Sequence, residues 1–298
     1  NNMGAELIAQ AKTHLEKELP FVLYSKPREF VLNAIFQADD KIHKVMEYTE
    51  QGFVFAPFLN NENPILLKAE EVCQAPLEHT SGKTAHVNHE IPSDSDDEEE
   101  RYSALVEKAT LEIRAGNYKK IVLSRNFKVP FSKPIFTTFQ ELLSAYPNAF
   151  CYLWYHPKVG MWLGATPEIL IKTSGLNFTT MSLAGTQNQT VGEEHPKWTT
   201  KEITEQQLVT DYIAEVLKTR AKEVDVANVE TIKAGHLWHL RSKITGRFSQ
   251  GMFKDLVTAL HPTPAVCGLP LTDTKRFILD NENYQRTFYT GFLGELNY

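Results

Sequence analysis

An α+β fold is what this sequence predicts, and three observations carry it. PFVLYSKP, FVLNAIF and GFVFAPF are rich in Val, Ile and Phe and are separated by turn residues, the mark of short strands. From Tyr102 to Ile113, apolar residues recur at helical spacing. The two kinds of segment mix without the strict alternation of a doubly wound sheet. With 298 residues, 42% of them hydrophobic, the chain can bury a sizeable core, as one large domain with a smaller N-terminal part.

In chain order, residues 1–92 read as an N-terminal part, a small helix followed by the strands just quoted. The polar stretch from Thr80 to Glu100 ends in six acids between Asp94 and Glu100, and 93–100 reads as a solvated acidic linker. Its last acids lie over the start of the next helix, where the macrodipole favours them. The region 101–298 follows. Tyr102, Leu105, Val106, Ala109 and Ile113 define a helix stopped at Gly116. KIVLSRNFKV reads as a strand. FCYLWYHPKVGMWLGATPE reads as a strand pair turning at Pro157 to Gly160, and LNFTTMSLAG as another strand. A helix is predicted from about Thr200 to Lys222, then strands near VETIKAG and SKITGRF. The short helix MFKDLVTAL leads into the loop HPTPAVCG. FYTGFLGELNY reads as a terminal apolar strand with glycines, and a strand stopping there suggests that the natural protein continues beyond Tyr298.

Bulk properties exclude several classes. A net charge of -6 gives no basic footprint for nucleic acid. Cys73, Cys151 and Cys267 are odd in number and widely spread, which fits neither a disulfide framework nor a zinc site and favours a reducing compartment. NNMGAELIAQAKTHLEKELP is amphipathic and charged, without the apolar centre of a signal peptide, and no membrane-length apolar run occurs. The expectation is a soluble, cytoplasmic protein.

Three residues in separate compact motifs carry chemical interest. Lys120 lies in NYKKIVLSR, Glu168 in WLGATPE and Glu205 in KEITEQQLVTD. Lys120 reads either as an exposed Lys on an edge strand or as a Lys in an apolar pocket, where the neutral amine becomes accessible as a base. Glu168 reads either as a turn residue in water or as a general acid beside small residues that let a ligand approach. Glu205 lies four residues before Val209 on the apolar stripe of its helix. A charge there calls for a partner or a metal, although acids also suit a helix N-terminus. Glu202 is read as the partner of Thr199 in a capping box. LAGT places Gly185 and Thr186 after a strand, where backbone N–H groups can hold a carboxylate. Pro262 and Pro264 stiffen the loop that carries His261, a residue that reads equally as packed or as substrate-binding. Together, a base, an acid and a metal ligand are what water addition to a metal-bound polyanion requires.

In this order, KKIVLSR, GATPE, LAGT, TEQQLVTD, LHPTPAVCG and RTFYTGFLG resemble the chorismate-utilising enzymes, which include isochorismate, salicylate, anthranilate and aminodeoxychorismate synthases. The resemblance covers about Arg101 to Gly294 and implies large facing β-sheets flanked by helices, a site between the sheets, chorismate as substrate and dependence on Mg2+. It implies that Lys120 is the base that activates water, Glu168 the general acid and Glu205 a metal ligand. It also implies that Ala184, Gly185, Thr186, His261 and Ala265 line the substrate site. Lys120 separates this chain from anthranilate synthases, which carry Gln there, so no glutaminase subunit is expected. Ala184 stands where aminodeoxychorismate synthases carry a nucleophilic Lys. The reading is therefore isochorismate synthase, with salicylate synthase as the alternative, anthranilate synthase less favoured, and a silent chorismate-binding protein as a different class. Menaquinone and siderophore pathways both stay open. Gln206 stands where the family often has His. The family's C-terminal segment, with a carboxylate-binding Arg and a second metal Glu, is not in this sequence.

Overall fold

A computed structural model describes residues 3–78 and 95–298. Along the chain come α1 (Met3–Glu16), β1 (Phe21–Ser25), β2 (Val31–Phe36), β3 (His43–Lys44), β4 (Gly52–Ala56), β5 (Ile65–Lys68) and β6 (Glu71–Pro76). Next are α2 (Asp96–Arg114), β7 (Lys120–Ile121), α3 (Ile135–Ala145), β8 (Phe150–His156), β9 (Gly160–Thr166), β10 (Lys172–Ser174) and β11 (Asn177–Asn188). The remainder are α4 (Thr200–Lys218), β12 (Glu223–Val226), β13 (Glu230–Ala234), β14 (Leu237–Arg247), α5 (Phe253–Leu260), β15 (Gly268–Leu269), α6 (Leu271–Asn281) and β16 (Phe292–Leu296). The α+β expectation holds: every strand pairing is antiparallel. No described helix is long and apolar enough to cross a membrane.

Two compact units form, and neither follows the expected division at 93–100. One gathers the described residues 3–78 with Ser132–Glu168 and Gly291–Tyr298; the other holds residues 95–131 together with Ile169–Thr290. The chain leaves the first unit and returns to it because β8 pairs with β1, and β16 with β4.

In the first unit the sheet β6-β2-β1-β8-β9 carries a different layer on each face. Strand side chains alternate between faces. Phe21 and Leu23 of β1 and Cys151 and Leu153 of β8 join Leu7, Ile8 and Ala11 of α1 and Phe136 and Phe139 of α3 in one core. On the opposite face Tyr24 meets Phe53 at 5.0 Å, and Trp154 stacks on Phe55 at 4.1 Å. Phe53 and Phe55 belong to the second sheet, β16-β4-β5-β3, so two sheets do face each other here. Burying each such aromatic or Leu contributes about 1.5–3 kcal/mol.

In the second unit β11 and β14 pair from Asn177↔Arg247 to Asn188↔Leu237, with β10, β12 and β13 beside them. Phe178, Ala184, Ile244 and Phe248 pack against Val209, Ile213 and Leu217 of α4 and Leu256 and Leu260 of α5. Thr199 caps α4 in the expected box with Glu202, and the helix ends at Lys218, before the expected Lys222.

Three local expectations need correction. KIVLSRNFKV is a strand only at Lys120–Ile121, because its partner β15 is two residues long and runs into Pro270, which has no N–H to donate. The acidic run is helix from Asp96 onward: Ser95 caps it, and Asp96, Asp97, Glu98 and Glu99 fill its first turn. The rest of the polar stretch up to Asp94 lies outside the described residues. Finally, α3 and α6 form where the sequence reading placed no helix.

Candidate active site

Lys120 is the centre of the candidate site. It is 8% exposed, and its Nζ lies 3.0 Å from Glu205 Oε1. The strand that presents it is short but tightly held. Lys119 N–H donates to Leu269 O, and Val122 N–H to Cys267 O. Gly268 allows that approach: its φ is +141°, and a Cβ there would sit 2.4 Å from Lys120 O. No other residue combines that backbone angle with that clearance at low cost.

Glu205 comes from the second turn of α4. The buried stripe of this helix is Gln206, Val209, Thr210, Ile213, Ala214 and Leu217. Glu205 flanks it, with its side chain 38% exposed. Hydropathy alone places Gln206 and Thr210 at the surface; polar partners take them inside. Gln206 Nε2 donates to the hydroxyls of Ser182 and Ser242, each at 2.9 Å. Thr210 donates to Gln206 O and bonds to Ser182 Oγ. This buried set ties the start of α4, and hence Glu205, to β11 and β14.

The other expected residues fall as follows. Ala184, 8% exposed, packs in the core beneath α4. Gly185 forms a bulge in β11, where the register against β14 shifts, and its φ is +78°. Its carbonyl receives His239 Nδ1–H at 3.2 Å, and Thr186 next to it is exposed. Burial lowers His239 below the ordinary histidine range despite that carbonyl. His261 is 5% exposed at the end of α5, and Ala265 packs on the α4–α5 core from the loop beyond. Glu168 follows β9 at the boundary of the first unit; it is half-buried, and its N–H donates to Thr166 Oγ1. Thus the second unit brings Lys120 and Glu205 into contact and holds Gly185 and Ala265 around the same helix, while Glu168 belongs to the first.

Sequence reasoning gave no role to Glu282 and Arg286. Both are buried, and the guanidinium grips the carboxylate through Nε and Nη2, each at 2.8 Å. Burial works against the charge on Arg286, yet Glu282 outweighs it and raises the group above its ordinary value. The four-residue spacing of Glu282 and Arg286 was the available signal.

Among the described residues no group of three or more His, Cys, Asp or Glu side chains could hold a metal ion. Glu205 is one hard oxygen donor, and Mg2+ commonly takes one or two carboxylates with water and substrate oxygens. A single carboxylate engaged with Lys120 fits part of such a shell and does not by itself make a metal site.

Residues 37–298 match the family model described as chorismate binding enzyme. The chain belongs to that family. Among curated relatives, the isochorismate synthase DhbC of Bacillus subtilis is 32% identical over 73% of this chain and 58% of its own. The isochorismate synthase MenF of Pasteurella multocida is 31% identical over 63% of this chain and 46% of its own. The chain thus spans about half the length of these relatives. Among solved structures, a 2,3-dihydroxybenzoate-specific isochorismate synthase from Bacillus anthracis superposes with a TM-score of 0.76 at 21% identity, covering 96% of this chain and 84% of that one. Anthranilate synthase component I from Streptococcus pneumoniae gives 0.63 at 18% identity, covering 93% and 80%. These likenesses establish the fold as that of the chorismate-utilising enzymes, as the resemblance implied.

Proposed function

We propose that the protein is an isochorismate synthase, converting chorismate to isochorismate. The observation that carries this reading is Lys120: a buried amine on β7, in a family whose curated relatives are named for that reaction. In the proposed reaction Lys120 takes a proton from water as the water oxygen bonds to C2 of the ring. The double bonds shift, the C4–O bond breaks, and Glu168 protonates the departing hydroxyl as water. The sum is an isomerisation. General base and general acid each supply about 10² to 10⁴-fold. Mg2+ is part of the proposal: Glu205 would hold it, and the bound ion would offset the charge of the substrate carboxylate. Ala184 supports the reading against covalent lysine chemistry, since an alanine methyl cannot form an adduct.

Relatives serve both menaquinone-specific and 2,3-dihydroxybenzoate-specific synthesis by name, and both destinations stay within the proposal. The test is full-length protein with chorismate and Mg2+, products separated by chromatography. Isochorismate is expected, and Lys120→Ala and Glu168→Gln should each abolish it. Pyruvate with salicylate would replace the reading with salicylate synthase. Ammonium-dependent anthranilate would replace it with anthranilate synthase. Chorismate left intact would overturn the enzyme assignment and favour a silent binding protein.

A further inference from the structure

Among the described residues of the second unit, Glu282 and Arg286 form an ion pair buried on both sides, and its hydrogen bonds lead to the segments that carry the candidate site. All five N–H donors of Arg286 are engaged. Nε meets Glu282 Oε1; Nη2 meets Glu282 Oε2 at 2.8 Å and Val122 O at 2.9 Å; Nη1 meets Val266 O at 2.9 Å and Thr290 Oγ1 at 3.1 Å. Val122 is two residues beyond Lys120, and Val266 is next to Ala265. Glu282 Oε2 reaches the segment after that strand a second time, accepting Ser124 N–H at 2.7 Å and Ser124 Oγ–H at 2.9 Å. Tyr284 OH lies 2.6 Å from Ser124 Oγ.

A buried ion pair is weak evidence for stability, since well-packed apolar residues often do as well. What it does supply is geometry: a planar fork with fixed donor directions. Lys120 draws little of that geometry from its own ladder. Its strand has two residues and one two-residue partner, too short a ladder to set a side chain's position.

We propose that Arg286, oriented by Glu282, is a positioning residue: it clamps the backbone after Lys120 to the loop carrying His261 and Ala265, and so fixes where the Lys120 amine sits. The catalytic consequence rests on the reading of Lys120 as the base; the structural consequence does not.

Two variants of the full-length protein test this. Arg286→Lys keeps the charge but cannot grip a carboxylate and two carbonyls together, and a displacement of about 1 Å at the base is enough to lower kcat by about tenfold or more. KM for chorismate should change far less, because the guanidinium spends its N–H groups on protein acceptors. Ser124→Ala removes one bond to Glu282 and the contact with Tyr284, leaves the Ser124 N–H bond in place and should fold like the wild type, with a smaller but measurable fall in kcat. Wild-type kcat in either variant would overturn the proposal. So would a loss in Arg286→Lys that matches only a reduced folded fraction, measured by active-site titration. Should Arg286→Lys fail to fold, Ser124→Ala decides. A wild-type enzyme inactive on chorismate would defeat the reading of the site, and crystal structures would then judge the clamp: Lys120 Nζ should move from Glu205 in the variants, and an unmoved amine would overturn the inference.

Discussion

Lys120 Nζ and Glu205 Oε1 lie 3.0 Å apart, one buried on β7 and the other at the flank of α4, more than a third exposed. The pair joins one of the two shortest described strands of the second unit to one of its two longest helices. Glu205→Gln keeps the size and removes the charge. Because solvent reaches the carboxylate and screens it, the expected loss of stability is only about 1 kcal/mol, measured by urea denaturation. A much larger loss would contradict that screening. In the proposed enzyme the same variant should lose most chorismate turnover and should not regain it at high Mg2+.

Gln206 is expected to matter more for the fold than its neighbour. Its amide satisfies two buried hydroxyls at once. Gln206→Leu leaves Ser182 and Ser242 without that donor, a cost of about 1–3 kcal/mol for each buried group left unsatisfied. Adding Ser182→Ala and Ser242→Ala should recover part of it, because removing both partners of a buried bond can be nearly neutral. A triple variant no more stable than Gln206→Leu alone would argue against a connected network.

Gly268 and Gly160 offer a matched comparison. Both have positive φ, +141° and +131°, but a Cβ at 268 meets Lys120 O at 2.4 Å while one at 160 meets nothing within 4 Å. Gly160→Ala should therefore cost only backbone strain, about 1 kcal/mol. Gly268→Ala has to push back the strand that carries Lys120 and should cost more, with lost activity besides. Equal melting temperatures for the two variants would contradict the close approach.

Much of this was legible in the sequence, and the rest failed for identifiable reasons. β1, β2 and β4 announce themselves because Phe, Val and Ile cluster between turn residues, and their burial on both faces leaves the signal unbroken. The Thr199–Glu202 box marks the start of α4 to the residue. By contrast, α3 carries Phe136, Phe139, Leu142 and Leu143 at helical spacing, a signal that was present and went unread. KIVLSRNFKV looked like a full strand because β-propensity says nothing of partner length. The spacing of Glu282 and Arg286 hinted at the pair, but its reach to residues 122 and 266 was hidden, because those bonds run to main-chain carbonyls, which no side-chain pattern reveals.

The three thiols should separate cleanly by access. All are free, with Cys151 1% and Cys267 0% exposed and Cys73 intermediate. Burial pushes the Cys151 thiol up to about 12, so the reactive thiolate is scarce as well as shielded. A colorimetric thiol reagent at pH 8 should titrate one group in the native protein, slowly because burial and nearby Glu71 also raise Cys73. All three should react in denaturant. Two or more fast thiols in the native protein would be incompatible with this packing.

The pH dependence of stability follows from buried histidines, and His156 is the clearest case. It is fully buried; Lys158 N–H donates to its Nδ1 at 3.1 Å, and its Nε2 lies 3.2 Å from Lys41 O. A neutral ring with its proton on Nε2 satisfies both contacts. A second proton would have to go on Nδ1, opposite the Lys158 donor. Burial lowers its pKa below 6.5, and Lys158 and His43 add to that, while the Lys41 carbonyl and Asp40 oppose it. His14 and His239 are lowered by burial too. A lowered folded pKa means that the unfolded chain binds more protons in the window just below 6.5. The stability from these neutral rings is therefore complete above about pH 6.5 and is lost as pH falls through the window. Urea midpoints should drop between pH 7.5 and pH 5.5. His156→Gln, which can donate to Lys41 O and accept from Lys158 N–H without titrating, should show a smaller drop. A midpoint that rises on acidification, or a variant with the wild-type slope, would show that His156 is not held neutral in the fold.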